Sequence, residues 1–225
     1  MDTLSAIATR AQQEFETRTA ARDKALGHAR LLTRHCALAI RAVHRGEDAP
    51  AREKLNEAGQ IARTLANDLA DYPDLYYAGY TQDALKEFAE ASIVFALAHD
   101  GELPQPEELG LEFNTYLQGL AEAGTEMRRR CLDMLRLGRG EEALRLLGIM
   151  DEIFSVLVTM DFPDAVTGGL RRLTDVVRGV NERTRSDLTL SLRQKQLEEQ
   201  IGALQKQLDG YSPPHASAPG HDPRL

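Results

Sequence analysis

The chain has no tryptophan, few aromatic residues and only two cysteines. Aromatics make up 5% of its 225 residues, so aliphatic side chains must fill most of the interior. Cys36 and Cys131 can supply neither a disulfide framework nor a thiolate zinc site, and two packed thiols in an intracellular chain are expected. No apolar run approaches the ~20 residues of a membrane span. Met1-Asp2-Thr3-Leu4 lacks the basic start of a signal peptide, so a soluble, cytoplasmic protein with no membrane partner is expected. Positive charge is in deficit. The formal net charge of −8 argues against a generic electrostatic grip on nucleic acid or on an acidic membrane, so any nucleic-acid site must be a local basic patch. Phosphate loops, dinucleotide fingerprints and Gly-x-Ser-x-Gly elbows are missing. None of the six histidines follows a Glu by three positions, which argues against a ferritin-like di-iron site. His28, His35, His44 and His99 are too scattered for a metal triad or a local catalytic triad.

What is present favours helix. Ala, Leu, Glu and Arg dominate, with 42% hydrophobic and 28% charged residues. The spacing predicts an all-α fold, one domain over 1–210 built as a bundle of six or seven helices, and a disordered tail over 211–225. The first helix is expected from Asp2 to Gly46, with apolar stripes at Leu4, Ile7, Ala11 and Phe15 and again at Leu31, Leu32, Cys36, Leu38, Ala39 and Val43. Asp48 is a candidate cap for a second helix that Tyr72-Pro73 ends. The tyrosines from Tyr72 to Tyr80 suit a packed helix junction better than base stacking. A third helix from Thr81 to Asp100-Gly101 and a fourth from Asn114 to Gly138 flank a Pro-containing loop, and antiparallel packing of the two is expected. A fifth, from Gly140 to Asp161-Phe162-Pro163, carries the stripe Leu144, Leu147, Met150, Phe154, Leu157 and Val158. The last opens at Pro163-Asp164, breaks at Gly168-Gly169 and runs to about Gly210. Its later residues Leu190, Leu192, Leu197, Ile201, Leu204 and Leu208 suggest packing on one side only, on a partner.

Two acidic pairs stand out. Glu87 and Glu90 lie three apart on the third helix, and Glu122 and Glu126 lie four apart on the fourth, each pair on one face. Carboxylates supply both ligand and charge to hard divalent ions such as Mg²⁺, or Mn²⁺ in its place, and such ions activate water at a scissile phosphate. The alternative is a solvated face with local pairs, Lys86 with Glu90 and Glu126 with Arg130. A basic stripe forms the other constellation. Arg30, Arg34, Arg41 and Arg45 lie within roughly 60° on one flank of the first helix, with His44 close by. It suits phosphate contacts, with a solvated face as the alternative.

Several segments occur together in a specific order. They are Ile40-Arg41-Ala42-Val43-His44-Arg45-Gly46, Lys86-Glu87-Phe88-Ala89-Glu90-Ala91, Tyr116-Leu117-Gln118-Gly119-Leu120-Ala121-Glu122-Ala123-Gly124-Thr125-Glu126, Phe162-Pro163-Asp164, Leu170-Arg171-Arg172-Leu173-Thr174-Asp175-Val176-Val177 and Thr184-Arg185-Ser186-Asp187-Leu188-Thr189. With them the chain resembles the translin family, specifically prokaryotic proteins similar to translin-associated factor X, over about Arg22 to Leu197. The resemblance implies an all-α subunit in a closed, hollow homo-oligomer of the hexamer or octamer class. It implies single-stranded RNA or DNA as partner, bound on the inner surface. It also implies Mg²⁺-dependent endoribonuclease activity, with Glu87, Glu90, Glu122 and Glu126 as metal-holding, catalytic residues. Glu122 stands where factor X carries Asp. The family's basic helix falls on Arg34, Arg41, His44 and Arg45, and helix geometry adds Arg30. A non-catalytic single-stranded nucleic-acid-binding shell and a structural or adaptor protein are the alternative functions.

Overall fold

The structure is a computed structural model that describes residues 2–209; the tail expected over 211–225 lies outside the described residues. Six long helices carry the fold: α1 (Asp2–Arg45), α2 (Asp48–Asp68), α4 (Gly79–Ala98), α6 (Phe113–Arg136), α7 (Gly140–Leu157) and α9 (Leu170–Asp209). Between them lie the single turns α3 (Pro73–Tyr76), α5 (Pro106–Leu109) and α8 (Asp164–Thr167). No strand occurs among the described residues. α1 continues for 44 residues because no proline interrupts it, and it stops where Gly46 adopts φ +70°. Asp48 is the first residue of α2 and makes no side-chain cap; Glu47 holds the cap position. The expected tyrosine junction is present: Tyr72, Tyr76 and Tyr80 pack against Ala25, Leu65 and Leu69.

α1 packs on α2 and α4, α4 on α6, and α6 on both α7 and α9. The core is aliphatic. Ile93, Val94, Met127, Leu146, Met150 and Leu188 are essentially without solvent contact, each worth about 1.5–3 kcal/mol of burial. Leu144 and Val158, expected in the α7 stripe, are exposed instead, because the buried face of α7 runs through Ala143, Leu146, Leu147, Met150, Ile153 and Leu157. Leu4, Ile7 and Phe15 near the start of α1 are also exposed. The later half of α9 exposes Leu190, Leu197, Ile201, Leu204 and Leu208, so this part of the expected stripe has no partner among the described residues, while Leu192 lies against Gly140 of α7.

The antiparallel arrangement expected for α4 and α6 is not what forms. Gln82 meets Thr115, Lys86 meets Glu122, and Ala98 meets Arg130, so the two helices run in the same direction. The connection between them is long enough to return to the start of α4. α5 forms part of it, with a capping box in which the Gln105 N–H donates to Glu108 Oε2 at 2.9 Å. The Tyr116 hydroxyl donates to the Pro104 carbonyl at 2.8 Å and fastens this return path to α6.

Gly119 sets the α4–α6 spacing. A Cβ at this position would lie 2.5 Å from Ala89 Cβ and 2.9 Å from the Lys86 carbonyl oxygen. Only the missing side chain lets the backbones come this close. Gly119→Ala is expected to lower stability by about 1–3 kcal/mol through overpacking. Gly27→Ala, at an exposed helical position with open space around the new methyl, is expected to raise it by about 0.5–1 kcal/mol. Denaturant melts of both variants check this, and a neutral Gly119→Ala would contradict the close contact.

Candidate metal centre and nucleic-acid face

The α4–α6 register decides which acids meet. Lys86 lies level with Gly119, so Glu122 of α6 stands beside the turn of α4 that carries Glu87 and Glu90. One carboxylate oxygen from each of Glu87, Glu90 and Glu122 lies within 4.8 Å of the other two. Each is half-buried. Carboxylate oxygens on opposite sides of a Mg²⁺ ion lie about 4.2 Å apart. The donors are of the right type and nearly close enough, so this set fits a hard divalent ion. Glu122, one methylene longer than Asp, reaches the cluster.

Glu126 does not join these three. One turn further along α6, its Oε1 sits 2.5 Å from Nε2 of His44. The His44 side chain is only 2% exposed and its Nδ1 is buried with no partner. His44 therefore faces inward against Glu126 rather than outward toward a strand, contrary to the sequence-based expectation. Lys86 does not take Glu90, its i,i+4 partner in the solvated-face alternative. Its Nζ lies 2.6 Å from Glu122 Oε1 on the neighbouring helix and 3.6 Å from Glu87 Oε1. Arg130 donates to the Ala98 carbonyl and is not paired with Glu126.

The electrostatics follow from this crowding. Burial, then the charges of Glu87, Glu122 and Glu126, push the Glu90 carboxyl up to about 8 from 4.5. Glu87 is raised by burial and by Glu122, with Lys86 opposing. Glu126 is held below its ordinary value by the hydrogen bond from His44, against burial. Burial acts to lower the Lys86 ammonium, but the hydrogen bond and charge of Glu122 outweigh it and the net direction is up. Cys36, fully buried on α1, has its thiol pushed up by burial and by the adjacent Glu87 and Glu90, so it stays protonated.

The basic stripe is partly retained. Arg30, Arg34 and Arg41 are exposed. Arg30 shares a groove between α1 and α4 with Asp83 and Glu87, so one end of the stripe adjoins the acids. Arg45 is exposed as well, but its guanidinium is held by both Glu47 carboxylate oxygens at 2.8 and 2.6 Å. The bonds of Lys86 and His44 cross between helices distant in sequence, so residue spacing along one helix carries no signal for either.

No family model matches the chain. The uncharacterised protein MJ0175 of Methanocaldococcus jannaschii is 30% identical over 186 residues, covering 82% of each chain. The crystal structure of AfC3PO superposes with a TM-score of 0.75 at 28% identity, covering 81% of this chain and 95% of that one. AfC3PO in complex with duplex RNA superposes at 0.74, with the same identity and coverage. The chain belongs to the translin family. A further translin-like structure, apo-NeC3PO, matches at 19% identity with a TM-score of 0.75 over 81% of this chain and 96% of that one, and speaks to the shared fold. No described helix of this translin-family chain is long and apolar enough to cross a membrane.

The raised Glu90 value carries a pH consequence. A carboxyl whose folded value exceeds its unfolded one stabilises the fold most below about 4.5, and this contribution is lost as pH rises through about 8. In chelator, the melting temperature of Glu90→Gln is expected to gain on that of the native chain as pH rises from about 5 to 8, then level off. A difference that stays constant over this range would contradict the burial of Glu90 among like charges.

Proposed function

We propose that this chain is a Mg²⁺-dependent endoribonuclease acting on single-stranded RNA inside a homo-oligomer, with Mn²⁺ able to replace Mg²⁺. One observation carries the reading: Glu87, Glu90 and Glu122 converge from two helices, next to a groove that Arg30 enters. Glu87, Glu90 and Glu122 would hold the ion. A bound divalent ion lowers the pKa of water and offsets charge building on a phosphate. Glu126, kept ionised by His44, accepts the proton of the attacking water. The water oxygen bonds to phosphorus, one P–O ester bond breaks, and the departing oxygen takes up a proton. Arg30, Arg34 and Arg41 position the strand through its phosphates, with Arg45 joining if it releases Glu47. Phosphate contacts carry no base information, so cleavage is sequence-tolerant.

Family membership supports RNA as the ligand class, since AfC3PO forms a complex with duplex RNA. The overall negative charge confines that contact to the arginine face. The exposed Leu197, Ile201, Leu204 and Leu208 repeat at helical spacing and support assembly into a hexamer or octamer. A second reading, a non-catalytic shell for single-stranded RNA or DNA, is favoured by the Lys86–Glu122 bond, which already neutralises part of the acidic set.

The test uses labelled single-stranded RNA with Mg²⁺, with a duplex of the same sequence as comparison. Glu90→Ala is expected to lower single-strand cleavage by about 100-fold or more while binding persists. Equal cleavage by both proteins would refute the enzyme reading, and binding without any cleavage would favour the shell. Each of Arg30→Ala and Arg41→Ala is expected to reduce the slope of log affinity against log salt by about 0.7 for a single strand. An unchanged slope would remove the stripe from the binding face.

A further inference from the structure

The fold buries a cation among the acids. A lysine on a helix surface ordinarily extends its ammonium into water. Lys86 does not: its side chain is only 15% exposed and its Nζ turns across the helix gap to Glu122 Oε1 at 2.6 Å. The gap is narrow there because Gly119 faces the Lys86 carbonyl oxygen. The contact that brings the acids of the two helices together therefore also fixes the root of this side chain. The ammonium lies on oxygens of Glu122 and Glu87, two of the three residues that form the candidate metal site. An ammonium and a divalent ion repel strongly at such spacing in a half-buried setting, so they cannot share these oxygens.

We propose that Lys86 is a built-in counter-ion that a divalent cation must displace from Glu122, so that loading the site exchanges one bound cation for another. This rests on the metal reading of Glu87, Glu90 and Glu122, and adds the residue that sets the concentration of ion required. Two properties follow. The acidic cluster stays folded without an ion because Lys86 balances part of its charge. Metal affinity is lower than three half-buried carboxylates would otherwise give, because the Lys86–Glu122 bond is broken on loading.

The test is a Mn²⁺ titration of the full chain, following the paramagnetic resonance signal of free Mn²⁺. Lys86→Met removes the charge and keeps the apolar stem; Lys86→Arg keeps the charge. Lys86→Met is expected to bind Mn²⁺ about tenfold tighter or more, and Lys86→Arg close to the native chain. Metal-free Lys86→Met is expected to melt lower than the native chain and to gain more on saturation with Mn²⁺. Lys86→Gln serves as a second charge-removing variant if Lys86→Met does not fold, with helicity checked by circular dichroism. Equal or weaker Mn²⁺ binding by the folded charge-removing variant would overturn the proposal. Glu122→Gln in the native background separates the two readings. If it loses Mn²⁺ while Lys86→Met binds like the native chain, only the role of Lys86 fails. If the native chain binds no Mn²⁺, or Glu122→Gln binds it unchanged, the site reading fails and the role of Lys86 with it.

Discussion

The close approach of α4 and α6 at Gly119 is the constraint on which the site depends. Without a Cβ there, the backbones meet at Ala89 and at the Lys86 carbonyl, and the parallel register of the two helices is set. That register brings Glu122 to Glu87 and Glu90 and carries Glu126 one turn past them to His44. A small shift along either helix would exchange these partners. The acidic cluster is thus a consequence of helix packing rather than of local sequence.

Holding carboxylates together in a half-buried setting costs free energy, and two devices offset it. Lys86 supplies positive charge from within α4, and His44 supplies a hydrogen bond from α1. Glu90 bonds to neither, and although the Lys86 charge pulls its carboxyl down, burial and the charges of Glu87, Glu122 and Glu126 outweigh it and displace the carboxyl well upward. Strongly displaced carboxyls of this kind cluster at functional sites. The same physics explains Cys36, whose burial, and after it the nearby charges of Glu87 and Glu90, keeps its thiol neutral.

Much of the fold was legible from residue spacing. The helical stops at Gly46 and at Gly168-Gly169 are where glycine chemistry places them, whereas α2 ends at Asp68, short of Tyr72-Pro73, and Pro73 opens the single turn α3. Direction was not legible. The Pro-containing loop suggested a tight reversal between the third and fourth helices, yet residues 99–112 return along α4 and make the pair parallel. Three of the four acids picked out by family order meet in space, including Glu122 with its extra methylene. The fourth, Glu126, and the basic His44 were each assigned by position along a helix, and neither assignment could show that the two bind each other. Arg45 was likewise placed by its angle on α1, while Glu47, just past the helix end, takes its guanidinium. Exposed apolar positions such as Leu144 and Phe15 belong to the same class, because periodicity finds a stripe but not the neighbour that covers it.

The most direct measurement is an anomalous difference map from crystals of the full chain soaked in Mn²⁺. Metal binding at this site predicts a peak among the carboxylate oxygens of Glu87, Glu90 and Glu122, with the Lys86 ammonium moved off Glu122. No peak at these residues under saturating Mn²⁺, with Lys86 still bonded to Glu122, would contradict it.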